Sequence, residues 1–520
     1  MATAWPREIV IPAPQEWPFS LALAVVFMLY LSSVLSVQLL GGSFPLAGVK
    51  SIFEPRILTN YRFFKNNIGV VNEGYKKFKG KAFKFARNDA DMIVLPPHYI
   101  DEINELPISV ANPTLAHAHN LLGQYTGMDL ILRSNLHFRM IQTKLTPHLG
   151  RMTGPMQDEL DYAIRQDFPE AKEWTSFEPY HVILRCVARI SARAFIGLPR
   201  CRSETWLDIS TNFTENIFVS VVMMRLLPTW TLPFISWVLP SLYTGKGYIR
   251  KSQKFLVDEI KHRRSLIDQG KLTGDSEEGR NLLTWMIECA EGSERDPAHL
   301  AHLEVVISLA SIHTSQMNAV HVLYDLATYP EHILELRGEI EAVASEEAGW
   351  KKTSYSKLSK LDSFLRESQR VSPPSVLSLH RVMVGSHTLH DGTKLPAGSH
   401  ICMATNAIQN DPSVTPNPEV FDGFRSYKKR QRDGERHMHQ FATTEKNVLN
   451  FGHGKYACPG RFFASLEIKV ILVRLIMDYD FKLAPGSGRP GNLRAHEFIF
   501  PNPKGELLVK RRSEKRLSPF

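Results

Sequence analysis

The stretch FGHGKYACPG, at residues 451 to 460, decides the fold of this chain. A lone cysteine lies there between glycine-rich turns, and an apolar helical pattern begins directly behind it. Pro459 suits the first position of that helix, so Cys458 is predicted to lie at the helix N-terminus, where the dipole favours a thiolate. A single thiolate cannot hold zinc or an iron–sulfur cluster, which need several such ligands, but it can be the axial ligand of a haem iron.

The same stretch resembles the haem-binding loop of the cytochrome P450 family: Phe-x-x-Gly, a basic residue, then Cys-x-Gly. The resemblance implies that Cys458 ligates the iron of haem b and that Phe451 packs beside its sulfur. Tyr456 departs from the pattern, because the family carries an Arg or His there that pairs with a haem propionate, and a phenol brings no charge at neutral pH. Lys455 or another basic residue is expected to compensate, and the resemblance also implies that Arg381 contacts the cofactor. The alternative for the loop alone is a buried cysteine at the start of a helix.

A Glu-x-x-Arg pair lies upstream, in KLDSFLRESQRVSPP. Glu367 and Arg370 are spaced i,i+3 and therefore share one helix face. Alone, such a pair is most often a solvated surface salt bridge worth little. Here an apolar face precedes it and Ser-Pro-Pro ends the helix, so the segment resembles the Glu-x-x-Arg helix of the same family, in which Arg425 would be the third partner. The resemblance implies a buried structural network that locks the haem pocket and performs no chemistry on the substrate.

A long helical pattern is found in LEVVISLASIHTSQMNAVHVLYDLATYP, where Ala310, Thr314, Met317 and His321 form one stripe. In the resembled family a long helix crosses the haem with a small residue and an acid–Thr pair at its middle, and here His313 stands in place of the acid. The resemblance implies catalytic positions for Thr314, with its hydroxyl over the iron, and for His313, which would relay protons or merely pack. A relay histidine would titrate between about pH 5.5 and 7.5. The alternative is a buried helix with a few satisfied polar residues.

The motifs occur in the order of the P450 family, and the resemblance covers residues 46 to 520. It implies a mainly α fold with a smaller β region, the cytochrome P450 fold, preceded by one N-terminal transmembrane helix. No linker or repeat interrupts the interior of the 520 residues, so residues 1–45 are predicted to be a lumenal tail and anchor and residues 46–520 one haem-thiolate catalytic domain. Three short segments of the sequence (SIHT, FDGFR and YACPGRFFA) are most similar to those of fungal secondary-metabolite members of the ent-kaurene oxidase-like branch.

An uncharged apolar run over residues 17 to 40 is long enough to span a bilayer. It is longer than the apolar part of a cleaved signal peptide, the alternative, and lacks the basic segment that precedes one. Lys and Arg are frequent between residues 50 and 87, whereas Arg7 alone precedes the run. The positive-inside tendency therefore predicts a single-pass protein with a cytosolic catalytic domain. By resemblance the membrane is that of the endoplasmic reticulum, and the glycosylation sequon at Asn212 is expected to stay unused.

The chain carries a net charge of +9 at pH 7. Its basic residues are scattered or follow the apolar run, and no nucleic-acid recognition motif accompanies them, so the sequence favours the lipid bilayer over nucleic acid as a partner. A further basic cluster precedes the cysteine loop: Lys428, Lys429, Arg430, Arg432 and Arg436. By resemblance the electron donor docks in that neighbourhood, and a solvated loop is the alternative. The five cysteines are dispersed and odd in number, which argues against a disulfide framework.

The predicted reaction is a monooxygenation, because a thiolate ligand favours cleavage of the O–O bond in dioxygen bound to haem. The chain has no flavin or nicotinamide fingerprint, since its Gly-Ser-Gly at 486–488 lies in a Pro-flanked turn. Electrons from NADPH are therefore expected through a partner, an NADPH-cytochrome P450 reductase. By resemblance, residues 112–127, 218–242, 375–379, 498–500 and the central helix line the substrate pocket. Their apolar character favours a bulky lipophilic molecule, a terpenoid more than a polyketide.

Three other functions stay open at this point. One is a haem-thiolate isomerase or dehydratase that does not use O2, and another is a non-catalytic haem- or sterol-binding protein. The third is a zinc site built from His437, His439, His453 and Cys458, whose spacings resemble no compact zinc motif.

Overall fold

Helices dominate the fold, and short strands form a smaller β region, as predicted. The structure is a computed structural model that describes residues 17–40, 44–346 and 349–513. Most of the predicted lumenal tail lies outside the described residues. The α-helices are, in chain order, α1 (Trp17–Leu40), α2 (Arg56–Lys65), α3 (Asn67–Lys77), α4 (Ile100–Glu105), α5 (Pro113–Asn120), α6 (Gly123–Thr126), α7 (Leu136–Met140), α8 (Thr146–Asp167), α9 (Pro179–Phe195), α10 (Glu204–Arg225), α11 (Leu232–Val238), α12 (Pro240–Asp268), α13 (Leu282–Cys289), α14 (Pro297–Thr328), α15 (Glu331–Glu346), α16 (Lys352–Lys357), α17 (Ser359–Val371), α18 (Thr405–Gln409), α19 (Arg425–Arg430) and α20 (Arg461–Asp478). The strands are β1 (Phe83–Ala86), β2 (Asp91–Val94), β3 (Ala111–Asn112), β4 (Thr175–Phe177), β5 (Ser378–Met383), β6 (His387–Thr388), β7 (Lys394–Leu395), β8 (His400–Met403), β9 (Tyr479–Lys482), β10 (Leu493–Ala495), β11 (Phe498–Phe500) and β12 (Leu507–Arg511).

The 32-residue helix α14 is the centre of the helical packing. Pro297 occupies its first position, and the Asp296 side chain caps it by accepting a hydrogen bond from the Ala298 N–H. It ends at Thr328, ahead of Pro330, which cannot continue a helix. Because α9, α10, α12, α17 and α20 pack around it, most of its side chains are buried, polar ones included.

A five-stranded sheet brings Arg381 into the interior. Its strand order is β1-β2-β8-β5-β3, in which β2 and β8 are parallel and the other neighbours antiparallel. The register of β5 against β8 shifts between Ser378 and Arg381, and Leu379 has a φ of 55° there. Such an irregularity changes the direction of the side chains along a strand. The Arg381 side chain that follows it is buried.

Within the described residues, one helix is apolar and long enough to cross a membrane, the Phe19–Ser36 part of α1. Its apolar side chains are mostly exposed, unlike those of a core helix. The Tyr30 hydroxyl donates to the Phe53 carbonyl at 2.8 Å, and Ser33 Oγ accepts from the Arg56 N–H at 2.9 Å. These contacts hold α1 against the start of α2.

Candidate active site

The cysteine loop is held in a tight shape by glycine and by one short hydrogen bond. Gly452 and Gly454 have φ values of 69° and 71°, a conformation that residues with a side chain rarely adopt. A Cβ atom on Gly454 would also meet the side chain of Asn104 at 2.9 Å. The Cys458 N–H donates to the Phe451 carbonyl at 2.7 Å, which closes the loop. Cys458 and Phe451, the two residues expected beside the iron, are thereby fixed to each other.

The helix behind the loop begins later than the sequence predicts. Pro459 is not its first residue, because Pro459 and Gly460 form a turn and α20 begins at Arg461. Burial raises the pKa of the Cys458 thiol, and the N–H groups of Gly460 and Arg461, together with the Arg461 charge, only partly oppose this. The backbone N–H groups at the start of the helix thus lower the pKa of the thiol, as predicted, but burial raises it by more. A metal ion bound to the sulfur would favour the thiolate further, because a thiol that coordinates a metal ion is deprotonated.

Cys458 and Ala310 have solvent-accessible side chains although protein surrounds them, which indicates an internal cleft. Cys458 is exposed by surface area, yet protein encloses its thiol closely enough for burial to raise the pKa. Ala310 is exposed in the middle of α14, in a largely buried stretch, and Thr314 one turn further is half-buried. A side chain meets both conditions when it lines a cleft inside the protein. The cysteine loop and the middle of the central helix are therefore both open to interior space.

Arg381 is a buried cation for which the described residues supply no carboxylate partner. Its side chain is 3% exposed, and its guanidinium donates to the His380 carbonyl at 2.9 Å and to Asn104 Oδ1 at 3.3 Å, while Nε is unpaired. Burial lowers its pKa to about 10. The guanidinium lies 5.1 Å from the ring centroid of Tyr456. A buried cation without a carboxylate partner destabilises the folded protein. A haem carboxylate would pair with this guanidinium, so these residues fit the cofactor.

His117 of α5 is a site residue that no sequence motif indicates. It is exposed by surface area, yet burial, and after it the charge of Arg381, lower its pKa to about 4. It therefore presents a neutral imidazole to enclosed space near Arg381. Lys455, by contrast, is exposed, and its ammonium lies 5.1 Å from the Tyr456 ring centroid. Of the basic residues considered for the charge that Tyr456 lacks, Arg381 is the buried one.

The structure brings Glu367, Arg370 and Arg425 together in one buried network. Arg370 donates to both carboxylate oxygens of Glu367, at 2.7 and 2.9 Å. The Arg425 Nε–H lies 3.2 and 3.3 Å from the same two oxygens, and the Asp422 N–H donates to one of them at 3.0 Å. Both arginines also donate to backbone carbonyls of residues 416 to 420. The network thus ties α17 to the chain that leads into the cysteine loop.

Thr314 and His313 face different parts of the structure. The Thr314 hydroxyl donates to the Ala310 carbonyl at 2.8 Å, at the edge of the cleft. His313 is buried, and its Nε2 lies 3.1 Å from the Thr211 carbonyl of α10. Burial lowers the pKa of His313 to about 4, so its imidazole is neutral between about pH 5.5 and 7.5. Of the two roles left open for His313, proton relay and packing, its burial against α10 favours packing.

The basic cluster at residues 428 to 436 is partly neutralised by acidic neighbours. Lys428, Arg430 and Arg432 each lie within salt-bridge distance of a carboxylate. The side chains of Lys428 and Arg432 are nevertheless largely exposed, whereas that of Arg430 is not.

His439, one of the histidines considered for zinc, hydrogen-bonds two glutamate side chains instead, each at 2.9 Å.

Comparison with known proteins decides the family. The sequence model described as Cytochrome P450 matches residues 62–509. The chain belongs to the cytochrome P450 family. Among the relatives of this P450 is Cytochrome P450 monooxygenase AN1598 of Emericella nidulans, 44% identical over 491 residues that cover 94% of this chain and 92% of the relative. Another is Ent-kaurene oxidase of Fusarium fujikuroi, 36% identical over 474 residues that cover 90% of this chain and 88% of the relative.

A solved structure supports the same fold. Retinoic acid bound cyanobacterial CYP120A1 superimposes with a TM-score of 0.64 at 17% identity, over 86% of this chain and 95% of that one. The predicted family and the predicted P450 fold are confirmed. This P450 is a monooxygenase like its fungal relatives, and the family implies haem as the cofactor, in agreement with the buried cation beside the cysteine loop.

Proposed function

We propose that this P450 inserts oxygen into a C–H bond of a bulky, lipophilic, terpenoid-type substrate. It works at the cytosolic face of the endoplasmic reticulum, with O2 and with electrons that an NADPH-cytochrome P450 reductase supplies. The observation that carries the substrate class is the 36% identity, over 90% of the chain, to a protein named Ent-kaurene oxidase.

The residues at and around the cleft have different roles in this reaction. Cys458 would ligate the haem iron, and Arg381 with Tyr456 would hold a haem carboxylate. The haem, when bound, supplies the redox-active iron at which O2 is activated. Thr314 presents a hydroxyl at the cleft, where it can hold a proton donor close to the reacting oxygen. Glu367 keeps the cysteine loop in place through its two arginines and does not touch the substrate.

Aromatic side chains from two predicted lining segments meet where the substrate is expected. Phe218 of α10 packs against Phe498 and Phe500 of β11, with ring centroids 5.4 and 6.2 Å apart. The backbone of Phe498 forms a β-bridge with that of Ser375, which lies two residues before the buried Leu377. Three of the predicted lining segments, 218–242, 375–379 and 498–500, therefore adjoin one another. Walls of this kind exclude water and bind an apolar molecule.

Residues 1–45 are proposed to form the lumenal tail and anchor, and residues 46–520 the cytosolic catalytic domain. A second apolar surface adjoins the anchor, and we name it the α2–α11 patch. Its exposed side chains are Ile57, Leu58, Tyr61, Trp230, Phe234, Trp237 and Val238. The Asn60 side chain ties α2 to the end of α10 by donating to the Arg225 carbonyl at 3.1 Å, and the chain then continues to α11. Exposed Trp and Tyr side chains suit the membrane–water interface.

The reductase would dock on the basic cluster that precedes the cysteine loop. Lys428 and Arg432 are its largely exposed members with acidic neighbours, so a more acidic partner surface could still compete for them. Charges at an exposed docking surface steer association and lose their effect as salt increases.

Turnover of full-length protein in microsomes tests the proposal. The protein is expressed in yeast with an NADPH-cytochrome P450 reductase, given oxygen-18 gas and offered ent-kaurene or an aromatic polyketide, and the products are identified by mass spectrometry. The expected result is a terpenoid product that carries oxygen-18, formed only with NADPH, and no product from Cys458→Ser. A product formed without NADPH and O2 would favour the isomerase or dehydratase. An iron that the reductase never reduces, even with substrate present, would favour a binding protein.

A further inference from the structure

A cavity of about 90 Å³ lies between α16, α17, α20 and residues 430–442. It is separate from the cleft, because its wall contains none of the residues that line the cleft. The exposed Phe462 and the half-buried Lys352 belong to the wall, so the cavity opens to solvent. A volume of this size has room for roughly six water-sized groups. A phosphate group, with its five heavy atoms, therefore fits.

The wall of this cavity carries an excess of positive charge. Its charged residues are Lys352, Arg430, Lys469 and a single acid, Asp362. Both oxygens of Asp362 already accept hydrogen bonds, Oδ1 from the Lys469 ammonium at 2.5 Å and Oδ2 from the Phe441 N–H at 2.8 Å. Asp362 thus neutralises Lys469, and the charges of Lys352 and Arg430 are left without a carboxylate of their own in the wall.

Arg430 has hydrogen-bond donors to spare at the cavity. Its side chain is 12% exposed, and its Nη1 lies 3.8 Å from Asp362 Oδ2, close enough for an ion pair but too far for a hydrogen bond. Its Nε donates to the Arg436 carbonyl at 3.1 Å, whereas its two terminal nitrogens have no hydrogen-bond partner among the described residues. A guanidinium with both terminal nitrogens available binds phosphate through two parallel hydrogen bonds.

We propose that this cavity binds a phosphate group, either inorganic phosphate or the phosphate of a small monoester. Arg430 donates two hydrogen bonds to it, and Lys352 adds a charge at the mouth of the cavity. Lys469 stays paired with Asp362 in the wall. Arg430 precedes the cysteine loop in the chain and α20 follows the loop, so the bound anion ties together the two segments that flank Cys458 and stabilises the haem-loaded protein. This site is independent of the proposed substrate and reductase.

Equilibrium dialysis of radiolabelled inorganic phosphate against the full-length, detergent-solubilised, haem-loaded protein tests the site. Wild type should bind one phosphate per haem in a saturable manner, and Arg430→Gln should bind it about tenfold or more weakly, because a hydrogen bond to a charged group contributes at least that factor. Lys428→Gln is the matched control: it removes one positive charge from the same helix, but Lys428 is largely exposed, pairs with Asp422 and does not line the cavity. Absence of saturable binding, or equal binding in these two variants, would overturn the proposal.

Competition and heat stability complete the test. Displacement of the label by glycerol 3-phosphate would show that the site accepts a monoester, and displacement by unlabelled phosphate alone would show that it is specific for the free anion. At matched ionic strength, phosphate should raise the half-inactivation temperature of wild type and Lys428→Gln more than that of Lys352→Gln, which carries the test should Arg430→Gln fail to load haem. An equal rise in all three would reflect general exclusion of phosphate from protein surfaces and would overturn the site.

Discussion

Replacing Arg370 with alanine removes the stronger of the two cations that hold Glu367. Arg370 makes the shorter contacts to Glu367, at 2.7 and 2.9 Å, and it also donates to the Pro418 carbonyl at 2.8 Å. The Glu367 side chain, 3% exposed, would be left with Arg425 and one backbone N–H. Breaking a buried pair from one side costs about 3–5 kcal/mol, a large part of the roughly 5–15 kcal/mol by which a domain is stable.

The contact distances and side-chain exposures predict the order in which three variants lose stability. Arg425→Ala should cost less than Arg370→Ala, because Arg425 is more exposed and its contacts to Glu367 are longer, at 3.2 and 3.3 Å. Arg133→Ala is the control, because its pair with Asp129 lies at the surface, with side chains 71% and 36% exposed. Exposed pairs of this kind contribute about 0.2–1 kcal/mol.

The assay is the amount of haem-loaded protein per total protein in membranes, read from the reduced carbon monoxide spectrum, together with the temperature of half-inactivation. Arg370→Ala should yield little haem-loaded protein, Arg425→Ala an intermediate amount, and Arg133→Ala the wild-type amount. If Arg370→Ala loads haem and resists heat as well as Arg133→Ala does, the network does not support the cysteine loop as argued.

Cys458→Ser should abolish the strongly red-shifted Soret band of the reduced carbon monoxide complex, because that shift needs a thiolate opposite the CO; a retained band would disprove the ligand. His313→Phe should leave the pH profile of turnover unchanged between about pH 5.5 and 7.5, since burial already lowers the pKa of His313 to about 4, and a lost inflection there would contradict this. Burial raises the pKa of Glu304 well above 4.5, so the folded protein binds this proton more tightly than the unfolded chain does and loses stability as pH rises. Glu304→Met removes that pH-dependent loss and should therefore raise the half-inactivation temperature more at about pH 8 than at about pH 5. An equal effect at both pH values would refute the argument. Removal of residues 1–45 should weaken membrane binding, and Trp230→Ser with Trp237→Ser should weaken the remainder, as vesicle flotation would show.

Short motifs made the cysteine loop and the Glu-x-x-Arg pair predictable from sequence. Cys458 stands within ten residues of fixed spacing, and the partnership of Glu367 with Arg370 follows from one turn of helix. The start of α20 was mispredicted because Pro459 and Gly460 are equally suited to a turn and to the first turn of a helix. Local sequence does not distinguish the two.

Contacts between distant segments that no family motif marks could not be predicted. Glu467 meets Ser191, and Ser191 meets Ser311, only because α9, α14 and α20 pack against one another. Likewise, the lowered pKa of His313 comes from burial against α10, and periodicity along one helix does not report which neighbour covers each face. Outside such a motif, a single sequence contains no signal that pairs residues so far apart.

The α2–α11 patch also bears on how the kinetics should be expressed. On the proposed attachment to a bilayer through α1 and this patch, the concentration that matters is substrate per lipid rather than substrate per litre of buffer. A lipophilic substrate partitions into the bilayer, so empty vesicles that exchange substrate with the enzyme's membrane dilute it. The apparent KM, written per volume, should then rise in proportion to the lipid added, while the turnover number stays constant. Two preparations of the same protein with different lipid contents would report different KM values, and rescaling to mole fraction would bring them together.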